Sequence, residues 1–238
     1  MSILLIRLAG PLQSWGTQSR FTNRDTGREP SKSGVVGLLC AASGIVRHDR
    51  ERIGEMARLP MGVRVDREGE LQKDFQTAGG GVWPGRSDYG VWPRRGGTVT
   101  SERYFLADAD FLVALEVAQP MGERLQEALA DPVWPLFLGR KGYVPGLPVR
   151  VPDGLRAGEM SGVLATYPWL PPRRGPAPSR LRVVLECGPD EGRPRLDVPE
   201  SFEPDQRSFR LRHIRDEWVP TESLRVDRRD DQFDRRDE

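Results

Sequence analysis

Residues 3–46 constrain this chain more than any other stretch. Ile3-Leu4-Leu5-Ile6-Arg7-Leu8-Ala9 is an almost unbroken apolar run. It reads as a strand covered on both faces, because a half-exposed strand would alternate. Gly10-Pro11 ends it, and a polar, basic loop follows with Trp15, Arg20, Phe21, Arg24, Thr26, Gly27 and Arg28. Ser31 is a good N-cap with Pro30 before it, and Val35 to Val46 form an apolar helix expected to be deeply buried. Gly34 and Gly37 would let another backbone approach that helix. A strand therefore leads through an Arg-rich loop to the positive end of a helix, which suits a phosphate chain. Lys32-Ser33 invites comparison with a P-loop, but Thr26 and Ser31 stand where GxxxxGK[ST] needs glycine. What survives is a place where Lys32, Ser33 and free amides could hold a phosphate.

Further along, Asp49 caps a short amphipathic helix with Ile53, Met56 and Leu59 on one face. Met61 to Asp66 alternates as a strand, residues 67–70 turn, and Leu71 to Thr77 starts a returning strand. Residues 78–97 lose the core signal. They hold three consecutive glycines from Gly79, the pairs Trp83-Pro84 and Trp92-Pro93, Tyr89, and Arg86, Arg94 and Arg95. Loops of this length inside a domain are usually functional or disordered. Thr98–Leu106 and Phe111–Val117, joined by a tight turn, read as a hairpin, and Met121–Ala130 reads as a helix with Leu125 and Leu129 inward. The order β-α-(α)-β-β-β-α is close to a ferredoxin-like or RRM-like α+β plan. Trp134 to Leu138 is an apolar anchor ahead of a Gly-rich basic loop, Gly139 to Gly146. Residues 149–178 are rich in Pro and Gly and resist assignment. Leu181–Cys187 is a strand, and Arg207–Ile214 followed by Trp218 and Val219 is a strand with one basic face. Residues 225–238 form a mixed-charge tail, expected to be disordered.

The 238 residues suffice for one large domain or two small ones packed together. A net charge of +1 excludes a global basic excess, so a nucleic-acid surface must be local. Nearly all the basic residues are Arg, the lysines being Lys32, Lys73 and Lys141. Arg suits bidentate contacts to phosphates and bases. Cys40 and Cys187 stand far apart, which argues against a disulfide framework or a zinc site, and no cofactor is called for. The N-terminal run is too short for a secretory signal and contains Arg7. With no run near the roughly 18 apolar residues of a membrane helix, a cytoplasmic protein without a membrane partner is expected. His48 follows a helix end among basic residues and could act as a base in metal-free RNA cleavage. The plainer alternative is a solvated His favoured by the helix dipole. His213 reads as part of the basic strand face. Three basic loops share aromatic or glycine neighbours: Arg20/Arg24/Arg28/Lys32, then Arg86/Arg94/Arg95, then Arg140/Lys141. Arg on phosphates with aromatics against unstacked bases is how single-stranded RNA is held.

The segments LIRLAGPLQSWG, RDTGREPSKSGVVGLL, DFQTAGG, TVTSERYFLADADFLVAL and PLFLGRKGYVP occur in this order. They resemble successive signatures of the CRISPR-associated CasD family (Cas five) in its type I-E Cascade form. The resemblance implies an α+β chain. Residues 1–148 would form a RAMP-type ferredoxin-like (RRM-like) domain with a β-hairpin thumb at about 76–103, and 149–224 a small C-terminal β region. It implies a non-catalytic RNA-binding subunit of the Cascade surveillance complex in antiviral defence. The subunit would cap the 5′ handle of CRISPR RNA and touch the backbone subunit and the large subunit. By position, Arg20, Arg24, Thr26, Arg28, Lys32 and Ser33 would line the handle path. Arg140, Lys141 and Gly142 would form a Gly-rich RNA loop, and the thumb, with Arg86, Arg94 and Arg95, would fold over the RNA. The family usually shows Ser-Cys-Pro after Gly-Arg-Lys; here Gly142-Tyr143-Val144-Pro145 follows, and Tyr143 can stack on a base. The alternative is a metal-independent endoribonuclease processing precursor RNA, as type I-C relatives do with a Tyr, Lys and His set. The scarcity of Lys and His weighs against it.

Overall fold

The computed structural model describes residues 1–17, 22–79, 98–169 and 176–224. Arg20, Phe21, Trp83, Arg86, Tyr89, Trp92, Arg94, Arg95 and the 225–238 tail lie outside the described residues. The apolar run becomes β1 (Ser2–Ala9), followed by the two-residue strands β2 (Leu12–Gln13) and β3 (Asn23–Arg24). Helix α1 (Lys32–Ala42) starts at Ser31, whose Oγ accepts from the Gly34 amide, and α2 (Arg50–Ala57) starts at Asp49. Then come β4 (Met61–Arg67), β5 (Glu70–Gly79), β6 (Thr98–Ala107), β7 (Asp110–Val117) and α3 (Gln119–Ala130). Residues 149–178, unassigned from sequence, contain β8 (Arg150–Arg156) and α4 (Met160–Thr166). The chain closes with β9 (Arg180–Cys187), β10 (Arg193–Ser201) and β11 (Ser208–Pro220).

The main sheet has seven strands in the order β10-β11-β9-β4-β7-β1-β8, and its neighbours are antiparallel throughout. β1 is buried on both faces, as its apolar run requires. Leu4, Ile6 and Leu8 join a core with residues of α1, α2 and α3, while Ile3 and Leu5 join a second core with Val163 and Leu164 of α4. Each large side chain buried this way is worth about 1.5–3 kcal/mol. The C-terminal region does not stand apart: β8 flanks β1 at one edge, and β9, β11 and β10 extend the sheet beyond β4 at the other.

Two pairings differ from expectation. Leu71–Thr77 does not return against Met61–Asp66. β5 pairs with β6 along ten residues, from Glu70↔Ala107 to Gly79↔Thr98. Nor do β6 and β7 form a hairpin with each other. β6 belongs to a second, four-stranded sheet with β5, β2 and β3, while β7 lies between β1 and β4. The reason is burial. β7 is apolar on both faces and almost wholly buried, whereas Ser101, Glu102, Arg103 and Tyr104 of β6 are half-buried. The chain changes sheets at Asp108, which has a positive φ of 54°.

Candidate nucleic-acid interface

A cleft of about 720 Å3 opens over the solvent side of α1. Its floor is the small-residue face of the helix, Ser33, Gly34, Gly37 and Ala41, with Leu38. Its walls come from four separate stretches. The turn after β2 brings Ser14 to Thr17, the end of β3 and the residue after it bring Arg24 and Asp25, and the loop after α3 brings Trp134, Phe137, Gly139, Arg140 and Lys141. The segment between β10 and β11 brings Phe202 and Arg207, the start of β11 brings Phe209, and Arg47 stands beyond α1. Of the residues expected from sequence, Arg24, Ser33, Arg140 and Lys141 thus meet in one cavity.

The loop from Leu138 to Tyr143 is built by short backbone bonds. The Leu138 amide donates to Tyr143 O at 2.7 Å, the Tyr143 amide to Arg140 O at 2.8 Å, and the Ser14 amide to Leu138 O at 3.0 Å. Gly139 has φ +93°, and a Cβ there would overlap the Ser14 carbonyl, so the close approach of the two loops requires glycine. Arg140 braces the loop. It donates to Tyr143 Oη at 3.0 Å and to the Arg24 carbonyl at 3.2 Å, and its guanidinium lies 5.5 Å from the Tyr143 ring centroid. The Phe105 ring supports Tyr143 at 6.0 Å. Gly142 faces open space. Thr26 also braces: its Oγ1 accepts from the Trp15 amide at 2.9 Å and donates to Gly27 O at 3.0 Å. Arg24, Arg28 and Lys141 are exposed, and their side chains make no hydrogen bond or ion pair among the described residues.

Lys32 is a correction. It is 2 % exposed, and its Nζ donates to both carboxylate oxygens of Glu186 at 2.9 and 2.8 Å. Burial pushes its pKa down, and the Glu186 carboxylate partly restores it. Two amides of the α1 N-terminus are also taken, the Lys32 amide donating to Asp197 Oδ2 at 2.9 Å and the Gly34 amide to Ser31 Oγ at 3.2 Å. Trp15 is core, 1 % exposed, with Nε1 donating to Gln13 Oε1 at 3.1 Å. A Cβ on Gly34 would meet the Trp15 ring at 2.8 Å, and one on Gly37 would meet Phe202 at 3.9 Å, so side chains rather than a backbone use these glycines.

The basic face expected on β11 turns partly inward. Arg212 is buried and donates to Asp197 Oδ1 at 2.6 Å and Oδ2 at 3.0 Å. Arg195 bridges Asp197, at 3.0 Å, and Glu29, which also accepts from Arg182 at 2.9 Å. Burial alone would raise the Asp197 carboxyl. Hydrogen bonds and charge from Arg212, the charge of Arg195 and the Lys32 amide outweigh it and hold the group below the usual carboxylate range. This network fastens residues 29–32 to β9, β10 and β11. His48 is exposed beside Arg47, and His213 sits in β11 opposite Cys187 and Pro194.

A model of the family described as CRISPR-associated protein (Cas_Cas5) matches residues 3–215. The chain belongs to this family. The Cascade subunit CasD of Escherichia coli (strain K12) is 34 % identical over 156 residues, which span 59 % of this chain and 66 % of that protein. A crystal structure of a Cas protein is 41 % identical with a TM-score of 0.72, covering 94 % of this chain and 98 % of that one. A chain of a CRISPR RNA-guided surveillance complex is 34 % identical with a TM-score of 0.76, covering 94 % and 93 %.

Within this Cas chain, sequence reasoning passed over Arg47, Arg207, Phe202 and Phe209 as cleft residues, and took Trp134 only as an anchor. Phe202 and Arg207 come from between β10 and β11 and Phe209 from the start of β11; the sequence marks a basic strand from Arg207 but not its place beside α1, and β10 itself was unread. β10 carries Pro194 and Pro199, which are tolerated because it is the edge strand.

Proposed function

We propose that this chain is a non-catalytic, RNA-binding subunit of a type I-E Cascade surveillance complex in antiviral defence. It caps the 5′ handle of CRISPR RNA in the cytoplasm and contacts the backbone subunit and the large subunit. The observation that carries this reading is the cleft. Arg24 and Arg140 stand 116 residues apart in sequence, yet Arg140 donates to the Arg24 carbonyl at one cationic rim. Five basic side chains line the cleft (Arg24, Arg47, Arg140, Lys141 and Arg207) against one carboxylate, Asp25. A mobile chain of phosphates is the partner that such a rim attracts. The relatives named Cascade subunit and RNA-guided surveillance complex support the assignment.

In this reading Arg24, Arg28 and Lys141 hold phosphates, Ser33 offers a hydroxyl, and Gly142 leaves room for the backbone. Tyr143 stacks on a base, while Thr26, Lys32 and part of Arg140 keep the loops in place. Arg20 and the thumb arginines Arg86, Arg94 and Arg95 extend the grip. The strand order β4-β7-β1-β8, with α1 and α3 as crossovers, supports a RAMP-type ferredoxin-like core. The β5–β6 ribbon supplies the thumb's base. The test is to mix the purified chain with end-labelled repeat RNA in EDTA. Handle-specific binding without cleavage is expected. A single site-specific cut would favour the endoribonuclease, and equal affinity for a scrambled handle would reduce the protein to a general single-strand binder.

A further inference from the structure

The cleft extends well past the residues expected to meet phosphates, and its far part has a different character. There the floor is Gly37 and Ala41, four residues apart on α1, or about 6 Å along the helix. Phe202 lies over Gly37: a Cβ on that glycine would meet the ring at 3.9 Å. Trp134 is tied to the next turn, its amide donating to Ala41 O at 3.2 Å, and it keeps 40 % of its surface exposed. Phe209 completes the aromatic lining. An indole held by its backbone yet open to solvent is not packing the core. Arg47 and Arg207, both exposed, border the same space, and their side chains make no hydrogen bond or ion pair among the described residues.

The segment bearing Phe202 and Arg207 is held in position. Arg50, at the start of α2, donates to Glu203 Oε1 at 3.0 Å and also to Gln206. The Glu203 amide donates to Ser201 Oγ at 3.2 Å, and the Gln206 amide to Glu203 O at 3.2 Å. The aromatic lining is therefore built before any ligand arrives, which lowers the ordering cost of binding.

We propose that this part of the cleft is a base-binding slot: Trp134, Phe202 and Phe209 take one or two unstacked RNA bases over Gly37 and Ala41, and Arg47 and Arg207 hold the adjoining phosphates. The inference rests on the handle-capping reading and deepens it, since it brings the β10–β11 segment into direct contact with RNA. Two features select RNA over an apolar protein side chain. The lining is five cations to one carboxylate, and the floor is flat and small, as a planar ring against a helix needs. Aromatic faces without a fixed set of donors stack any base, so the slot adds affinity more than sequence choice.

The experiment uses the full chain and its own repeat-derived handle RNA with 2-aminopurine placed at each position in turn. At one or two adjacent positions, binding should change the fluorescence at least about threefold as the base stacks. Trp134→Ala, or Phe202→Ala with Phe209→Ala, should abolish that response and weaken handle binding by roughly tenfold. Arg207→Glu, at an exposed position that does not risk the fold, should weaken binding and leave the melting temperature unchanged. If wild type binds the handle specifically but neither the aromatic nor the Arg207 variant alters affinity or fluorescence, the slot is refuted while handle capping stands. The slot is also refuted if these variants bind RNA normally and lose only a protein partner. If wild type prefers no handle at all, the capping reading itself fails.

Discussion

Asp197 takes part of the helix end that the sequence offers to a phosphate. Its carboxylate takes the first amide of α1 and is at the same time clamped by Arg212 and Arg195. Sequence showed the helix start correctly, since Ser31 and its glycine follow local rules. It could not show that the first amide there was already taken, because the acceptor lies 165 residues away. Lys32 has the same history: a basic residue at a helix start reads as a ligand contact until Glu186, 154 residues away, is found against it. Asp197→Asn should cost roughly 3–5 kcal/mol, because it strips a buried carboxylate from the buried Arg212 and the half-buried Arg195 guanidinium. Urea denaturation measures this directly. The pH dependence has a definite sign. The folded Asp197 carboxyl lies below its unfolded value, so its stabilisation is complete above about pH 4 and is lost as pH falls through the lower folded value. The Asn variant should lack that acid-side loss.

Elements were legible where they bury a face and illegible where only the sheet decides. The helices declared themselves by caps and apolar spacing: α2 begins at Asp49 and buries Ile53 and Met56, and α3 buries Leu125 and Leu129. Strand partners did not. The turn at residues 107–110 has every local mark of a hairpin, yet it hands the chain from one sheet to another, and turn chemistry carries no information on which sheet follows. β10 was hidden by its prolines and charges. The β5–β6 ribbon has its own prediction. Its ten paired residues should hold without the intervening 80–97, so replacing those with Asn-Gly should shift the melting temperature by less than about 3 °C. The shortened chain should bind RNA or partner subunits more weakly. Loss of solubility would mean instead that 80–97 belong to the core.

Across the whole molecule, a net charge of +1 conceals a division of labour. Several acids are spent inside: Glu29, Glu186 and Asp197 pair with Arg182, Lys32, Arg195 and Arg212 where the C-terminal strands meet the start of α1. Basic side chains are thereby left in excess at the cleft. Composition gives only the sum, so the basic surface had to be inferred from loops, and the sequence showed a basic strand from Arg207 without showing that its start reaches the cleft. The seven-stranded sheet explains the arrangement. Residues from Arg150 onward add strands to both sheet edges, and the β10–β11 segment reaches the same α1 face that the N-terminal loop and the 138–143 loop reach.

The most direct measurement is the salt dependence of handle binding by wild type and by a variant with Arg24, Arg28 and Lys141 all changed to Ala. These side chains are exposed and make no hydrogen bonds or ion pairs among the described residues, so the fold should be untouched. If they hold phosphates of a single strand, the slope of log K against log salt should become shallower by about 2, with weaker binding and an unchanged melting temperature. An unchanged slope with unchanged affinity would place the RNA on another face and contradict the proposed grip.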